Sequence, residues 1–402
     1  MKTEKLKVFA LTGRHDLLSD GVWDFCTRLS SALPLHGADL ELCEVAWEKN
    51  GWLEALRNLW NQFSGKRNEW ALLQYTAMAW SRRGFPFGAL AIAWLAKHRG
   101  AHLAIVFHEP SGFRADGIWA QFRFFCQQWV IHRLYSIAEV GIFTVPLATL
   151  PWVHPHDSKA RFIPIGANIP EMLTPRQPRA PSADSPKIVA VFCVTTVRRT
   201  AWEVAEIAAA IRHAKQSVPH LRLVVFGRGA NEARILFEDA LCGSGVDLSV
   251  LGVIPASEIT KILSEADAFL YVRDTLKLQH GSTLAAVACG LPLVAYGEGA
   301  ACFPLSEAGI LLAQPGDQNA LCSALERVLT DSATWSSLHQ RSVNVYKEYF
   351  TWEEIGRKYA DVLHAPVSMF LDSPMEKTPQ IRGVSRLSSH ATKGAVKKGM
   401  TF

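Results

Sequence analysis

The chain has 402 residues, 49% hydrophobic, 20% charged and 10% aromatic, with 13 Trp. That length suits two domains with full cores, and the composition excludes a disordered chain. The formal charge is only +5, and six Lys or Arg against two acids place +4 of it in 365–402, so nucleic-acid binding is not implied.

Cys26, Cys43, Cys126, Cys193, Cys242, Cys289, Cys302 and Cys322 form no Cys-x-x-Cys pair. They lie mostly in apolar patterns, which points to reduced thiols in a cytoplasmic protein rather than a disulfide framework or zinc site. The N-terminal "MKTEKLKVFALTG" runs straight into a short strand without a signal-peptide core. The longest apolar runs, near 85–95 and 141–153, fall short of the ~20 residues needed to cross a bilayer.

In chain order, a first strand at 7–11 leaves through a loop for a helix beginning near Gly21. A strand at 40–45, a helix at 52–63, a strand at 71–74 and an apolar helix at 85–98 follow. The strand at 102–107 delivers His108, Glu109 and Pro110 to its carboxyl end. Across 113–134, Trp119, Phe122, Phe125, Cys126 and Trp129 recur at three- and four-residue spacing, which predicts a helix with this stripe facing the core. Arg114, Arg123 and Arg133 beside those aromatics leave a second reading open, in which the helix seats on an anionic membrane surface. Strands at 140–145 and 161–169 close the first domain, and Pro175, Pro178, Pro181 and Pro186 punctuate a linker.

Near-continuous apolar strands then alternate with helices: strands at 188–192, 221–226, 248–251, 268–272, 293–295 and 310–312, helices at 202–215, 231–241, 257–266, 283–288 and 319–330. This is the pattern of a parallel sheet covered on both faces. Expected boundaries are an N-terminal domain at 1–170, a linker at 171–186, a C-terminal domain at 187–345, a closing helix at 346–364 and a disordered basic tail at 365–402.

Within the second domain, strand, loop and helix start meet at His280-Gly281-Ser282-Thr283, where free N–H groups and a helix dipole favour an anion. The following "LAAVACGLPLVAY" resembles "LEAMACGLPVVA", a signature of family 4-like glycosyltransferases (glycosyl transferases group 1) of the GT-B fold. "RFIPIGANI" is similar to that family's "IPNGVD", "VVFGRGANE" to "IVGDGPE", "LGVIPASEI" to "LGFVPDEEL" and "YFTWEEIGRKYADVL" to "FSWEEIAEKY". The resemblance implies an α/β protein with two Rossmann-like domains facing across a cleft. It implies retaining, metal-independent transfer of a sugar from a nucleotide-diphosphate sugar to a glycan or lipid-linked acceptor, without a further cofactor.

On that resemblance His108 lies beside the transferring sugar, and Gly21 approaches the donor phosphates. Arg198 or Arg199 takes the place of the family's phosphate-binding pair, where a guanidinium offers bidentate donors. Gly227, Gly229, Val253 and Ile254 line the base slot. Gly281, Ser282 and Thr283 add donors at the helix start. The family's two motif glutamates, eight residues apart, fall on Lys277 and Ala285, so this chain has lost both carboxylates. One consequence is an active enzyme in which Arg273 and Lys277 grip the diphosphate. The other is an inactive GT-B relative that binds sugar nucleotides or carbohydrate. An epimerase on the same fold fits the motifs less well.

Overall fold

The computed structural model describes residues 5–370 apart from 14–20, 66–67, 114–115, 155, 170–185, 197–198, 274–275 and 298–302. The proline-punctuated linker therefore falls almost wholly outside the described residues, as does 371–402 of the expected tail. In the N-terminal half the order is β1 (Leu6–Thr12), α1 (Gly21–Ala32), β2 (Ala38–Glu44), α2 (Trp47–Asn50), α3 (Trp52–Gln62), β3 (Trp70–Tyr75), α4 (Phe87–His98), β4 (His102–Phe107), α5 (Ile118–Ile137), β5 (Val140–Phe143) and β6 (Ala160–Phe162). The second half runs β7 (Lys187–Phe192), α6 (Thr200–Ser217), β8 (Leu221–Phe226), α7 (Ala230–Leu241), β9 (Asp247–Gly252), α8 (Ala256–Glu265), β10 (Ala268–Tyr271), α9 (Gly281–Ala288), β11 (Leu293–Tyr296) and β12 (Ile310–Ala313). It closes with α10 (Gln318–Thr330), α11 (Ser332–Val345) and α12 (Trp352–His364).

Two parallel six-stranded sheets result, ordered β2-β1-β3-β4-β5-β6 and β12-β11-β10-β7-β8-β9. Successive strand residues point to opposite faces, so each apolar strand feeds two cores. In β1, Phe9 and Leu11 pack with α3, α4 and α5, while Val8 and Ala10 pack against α1 and α12. In β7, Val189 and Val191 face α6 and α10, while Ala190 faces the side that α8 and α9 cover. In the second sheet the chain changes direction between β7 and β10, which opens a crevice at their carboxyl ends.

Helix α12 carries the chain back onto the first domain. Trp352, Ile355, Tyr359 and Leu363 recur at helical spacing and pack into the N-terminal core. Thr351 caps the helix by accepting from the Glu354 N–H at 3.3 Å. The Trp352 indole donates to the Ala167 carbonyl at 2.9 Å.

Three expectations are corrected. Helix α5 buries Cys126, Gln127, Val130, Ile131 and Leu134, whereas Trp119, Phe122, Phe125 and Trp129 of the expected core stripe face outward. The buried amide of Gln127 explains the choice of face: it donates to the Gly84 carbonyl at 2.9 Å and accepts from the Phe113 N–H at 2.8 Å. The last strand of the first sheet stops at Phe162, because Pro164 has no N–H to continue the ladder. The expected tail begins too early: Val367–Phe370 forms a short 3-10 helix with Phe370 buried on the N-terminal core and the Arg161 guanidinium 5.3 Å from its ring.

Candidate active site

The crevice beside β7 is built by the loops that leave four strands. After β7, Cys193 takes a left-handed backbone conformation, φ 67°, and its N–H bonds the Phe226 carbonyl at 2.8 Å. The Val194 N–H bonds the Arg228 carbonyl at 2.9 Å, stitching this loop to the turn after β8. A buried carboxylate holds the next step in place: Glu203 of α6 accepts from the Thr195 N–H at 2.9 Å. Burial raises the pKa of Glu203, while the Thr195 bond and the charge of Arg273 act against that rise. Glu203 thus ties the β7 loop electrostatically to the loop after β10.

After β8, Gly227 and Gly229 have φ of 87° and 79°. A Cβ at Gly229 would run into the Val194 carbonyl oxygen, and one at Gly227 would press on the Phe192 ring. Both glycines are therefore required by the close approach of two loops. Beyond β10, the Arg273 guanidinium lies 5.9 Å from the Tyr271 ring, and the Tyr271 hydroxyl is 2.8 Å from His280 Nδ1.

These loops enclose a cavity of about 700 Å³. Arg199, Gly227, Gly229, Val253 and Arg273 line it, as do Thr195, Thr196, Arg228, Asn231, Glu232 and His280. Three arginines against one carboxylate give its lining a net positive charge. Sequence reasoning placed His280 at the helix start but missed the rest of the second group. The signal for Arg228, Asn231 and Glu232 was present in "GRGANE", since these side chains flank the glycines and begin α7.

Other expected residues lie elsewhere. Arg198 is outside the described residues. Ile254 packs partly into the core beneath α8 and α9, and exposed Lys277 is not in the lining. Gly281, Ser282 and Thr283 begin α9 but do not line the cavity. Thr283 is buried, and both its N–H and its hydroxyl donate to the His280 carbonyl, at 3.0 and 2.8 Å, so its hydroxyl is spent on its own backbone. Ala285 is buried in the core. Gly21, the first residue of α1, is exposed with open space around it.

His108 sits at the carboxyl end of β4, facing the second domain. Its Nε2 lies 2.9 Å from Gln74 Oε1, so the ring donates there and leaves Nδ1 with a free lone pair. The ring meets Phe25 edge-on at 5.2 Å. Burial pushes its pKa down to about 4, which keeps the imidazole neutral. The His108 carbonyl accepts from Gln279 Nε2 at 2.9 Å, a direct bond between the two domains. Gln279 adjoins His280, so the first-domain histidine and the cavity wall are one hydrogen bond apart. Beside it, the Glu109 carboxyl is pushed up to about 7 by burial, and its Oε2 has no hydrogen-bond partner among the described residues. No cluster of His, Cys, Asp and Glu among the described residues is arranged to hold a metal ion.

Two facing parallel sheets with an arginine-lined crevice at the switch point of the second define a GT-B protein. Residues 188–331, the second of the two domains, match the family model Glycosyl transferases group 1. The chain superposes on sucrose-phosphate synthase from Thermosynechococcus elongatus with TM-score 0.59 at 17% identity, covering 92% of this chain and 100% of that one. Anabaena HepE in complex with UDP and glucose gives TM-score 0.59 at 13% identity, over 90% and 100% of the two chains. A Listeria monocytogenes protein described as a UDP-N-acetylglucosamine 2-epimerase gives 0.55 at 13% identity, over 88% and 94%. A comparison with curated proteins gave no match.

Proposed function

We infer that the protein transfers a sugar from a nucleoside-diphosphate sugar to a glycan or lipid-linked acceptor, with retention at the sugar carbon. The observation that carries this reading is the 700 Å³ arginine-lined cavity joined to His108 across the cleft by the Gln279 bond. In this reading Arg199, Arg228 and Arg273 bind the diphosphate. Their charges also stabilise the leaving group as negative charge develops on it, the point at which electrostatics accelerate transfer. Charge neutralisation rests on these guanidinium groups rather than on a metal ion or a further cofactor. The turn from Gly227 to Gly229 and the exposed Val253 side chain offer a flat wall to the base. Glu232 and Asn231, at the start of α7, supply acceptors for ribose hydroxyls in place of the two missing glutamates. The neutral imidazole of His108 orients a sugar hydroxyl through its free Nδ1.

Loss of both motif carboxylates, to Lys277 and the buried Ala285, favours a second reading: a binding protein that holds a sugar nucleotide without turnover. One experiment separates the two. Calorimetry with UDP, GDP and ADP, followed by turnover assays with a panel of their sugars, should give nucleotide binding and product. Binding without product selects the second reading. Arg273→Ala and Arg199→Ala should each weaken nucleotide-diphosphate affinity about tenfold or more, since charged hydrogen bonds contribute ~1.5–3 kcal/mol. Unchanged affinity in both variants rejects the site.

A further inference from the structure

We propose that the outward face of α5 docks on an anionic phospholipid surface. This helix is apolar on two faces. One face packs into the core, but Ile118, Trp119, Phe122, Phe125 and Trp129 on the other are 84%, 81%, 52%, 55% and 43% exposed. At 100° per residue these five fall within an arc of roughly 120°, a stripe ~17 Å long. The patch continues onto the neighbouring helix, where Phe87 of α4 meets Trp129 with ring centroids 6.1 Å apart. A contiguous aromatic surface of this extent marks an interaction site, unlike scattered exposed side chains.

Charge decides what covers it. Between Trp70 and Ala138 the sequence has seven Lys or Arg and only two carboxylates, Glu109 and Asp116. Neither α4 nor α5 contains an acidic residue. Arg82 and Lys97 are answered by Glu48 and Glu139 from outside this segment. At the C-terminal end of the stripe, the Arg133 guanidinium lies 5.8 Å from the Trp129 ring, where it extends the aromatic face with a cation. Indole and phenyl rings enter the boundary between headgroups and acyl chains, and arginines beside them pair with lipid phosphates. A two-fold contact with a second copy would set α5, with Arg123 and Arg133 and no carboxylate, against its own copy, which like charges oppose. No helix among the described residues is long and apolar enough to cross a membrane, so the contact is peripheral.

The inference stands apart from the transferase reading but bears on it. The loop from His108 to Phe113 is anchored to α5, by Phe113 N–H to Gln127 Oε1 at 2.8 Å and by Gln128 Nε2 to the Ser111 carbonyl at 2.7 Å. The loop that carries His108 is therefore tethered to the inward side of the helix whose outward side meets the lipid.

The test is flotation of the full-length protein with phosphatidylglycerol/phosphatidylcholine vesicles and with pure phosphatidylcholine vesicles. Tryptophan quenching by brominated lipid reports depth. The protein should float with the anionic vesicles, and Trp119→Ser combined with Phe125→Ser should reduce binding about tenfold or more. Circular dichroism and nucleotide affinity of the variant should stay unchanged, which excludes misfolding. Variant binding equal to that of the parent would assign lipid attachment to another segment and overturn the proposal. Failure to float, or a concentration-dependent dimer in sedimentation that the double variant abolishes, would overturn it equally.

Discussion

His108 and Glu109 are consecutive, and burial moves their titrations in opposite directions. The imidazole falls from 6.5 to about 4, so the unfolded chain binds the extra proton between those values and stability rises with pH across that window. The carboxyl rises from 4.5 to about 7, so the folded chain holds the extra proton and stability falls as pH rises through that window. The two slopes largely offset each other between about 4.5 and 6.5. Glu109→Gln removes only the falling limb. Its unfolding free energy should match the parent at pH 4.5 and exceed it at pH 8 by a margin on the order of 1–3 kcal/mol, read as a higher melting temperature. A variant that melts below the parent at pH 8 would show that the Glu109 carboxylate has a cationic partner. Gly229 gives a second residue-scale prediction. Gly229→Ala combines a positive φ with a collision against the Val194 carbonyl, so it should destabilise the second domain by about 2 kcal/mol or more. Because Val194 lines the cavity, nucleotide affinity should fall with it.

At the scale of elements, α12 fastens the chain end to the first domain through Trp352, which is buried and bonded to Ala167. Trp352→Ala should cost about 3–5 kcal/mol, read as a lower first transition in thermal unfolding, with the nucleotide cavity retained. This helix was read in the sequence from the resemblance of "YFTWEEIGRKYADVL" to the family's closing helix; the Thr351 cap at Glu354 and the inward apolar period are what the structure adds. Central strands such as β3 and β4 were legible because strands buried on both faces are nearly continuous apolar runs, whereas the edge strand β2 alternates buried and exposed residues. Helix α11 was not legible, since its inward face includes His339 and Ser342. These bond the Gly290 carbonyl and the Gly309 N–H at 2.7 and 3.0 Å, so polar residues occupy positions that a hydrophobic pattern leaves blank. Helix α5 failed differently. Its period was correct, but two apolar stripes compete, and only the partners of Gln127 decide which one turns inward. The cavity shows a similar split. Loop glycines and Arg273 stand out in sequence, whereas Glu203 acts through a fold-dependent contact and Thr283 spends its hydroxyl on the helix start.

For the molecule as a whole, the described contacts divide into a hinge and a latch. The hinge is the crossing of 163–169 with the start of α12: Ile165 touches cores of both domains, and a Cβ at Gly166 would strike the Trp352 indole. The latch is the Gln279 amide on the His108 carbonyl, at the cleft itself. All residues lining the cavity come from the second domain, so the latch adds nothing to the cavity wall. A single hydrogen bond of this kind is worth about 1 kcal/mol, which alters a closed-to-open ratio about fivefold. Gln279→Leu should therefore leave nucleotide-diphosphate affinity within about twofold of the parent. It should lower turnover by up to about fivefold, since His108 then spends less time beside the cavity. Small-angle scattering with saturating nucleotide should give a larger radius of gyration for the variant than for the parent. Affinity falling in step with turnover would place Gln279 in donor binding, and an unchanged radius and rate would show that the domains close without it.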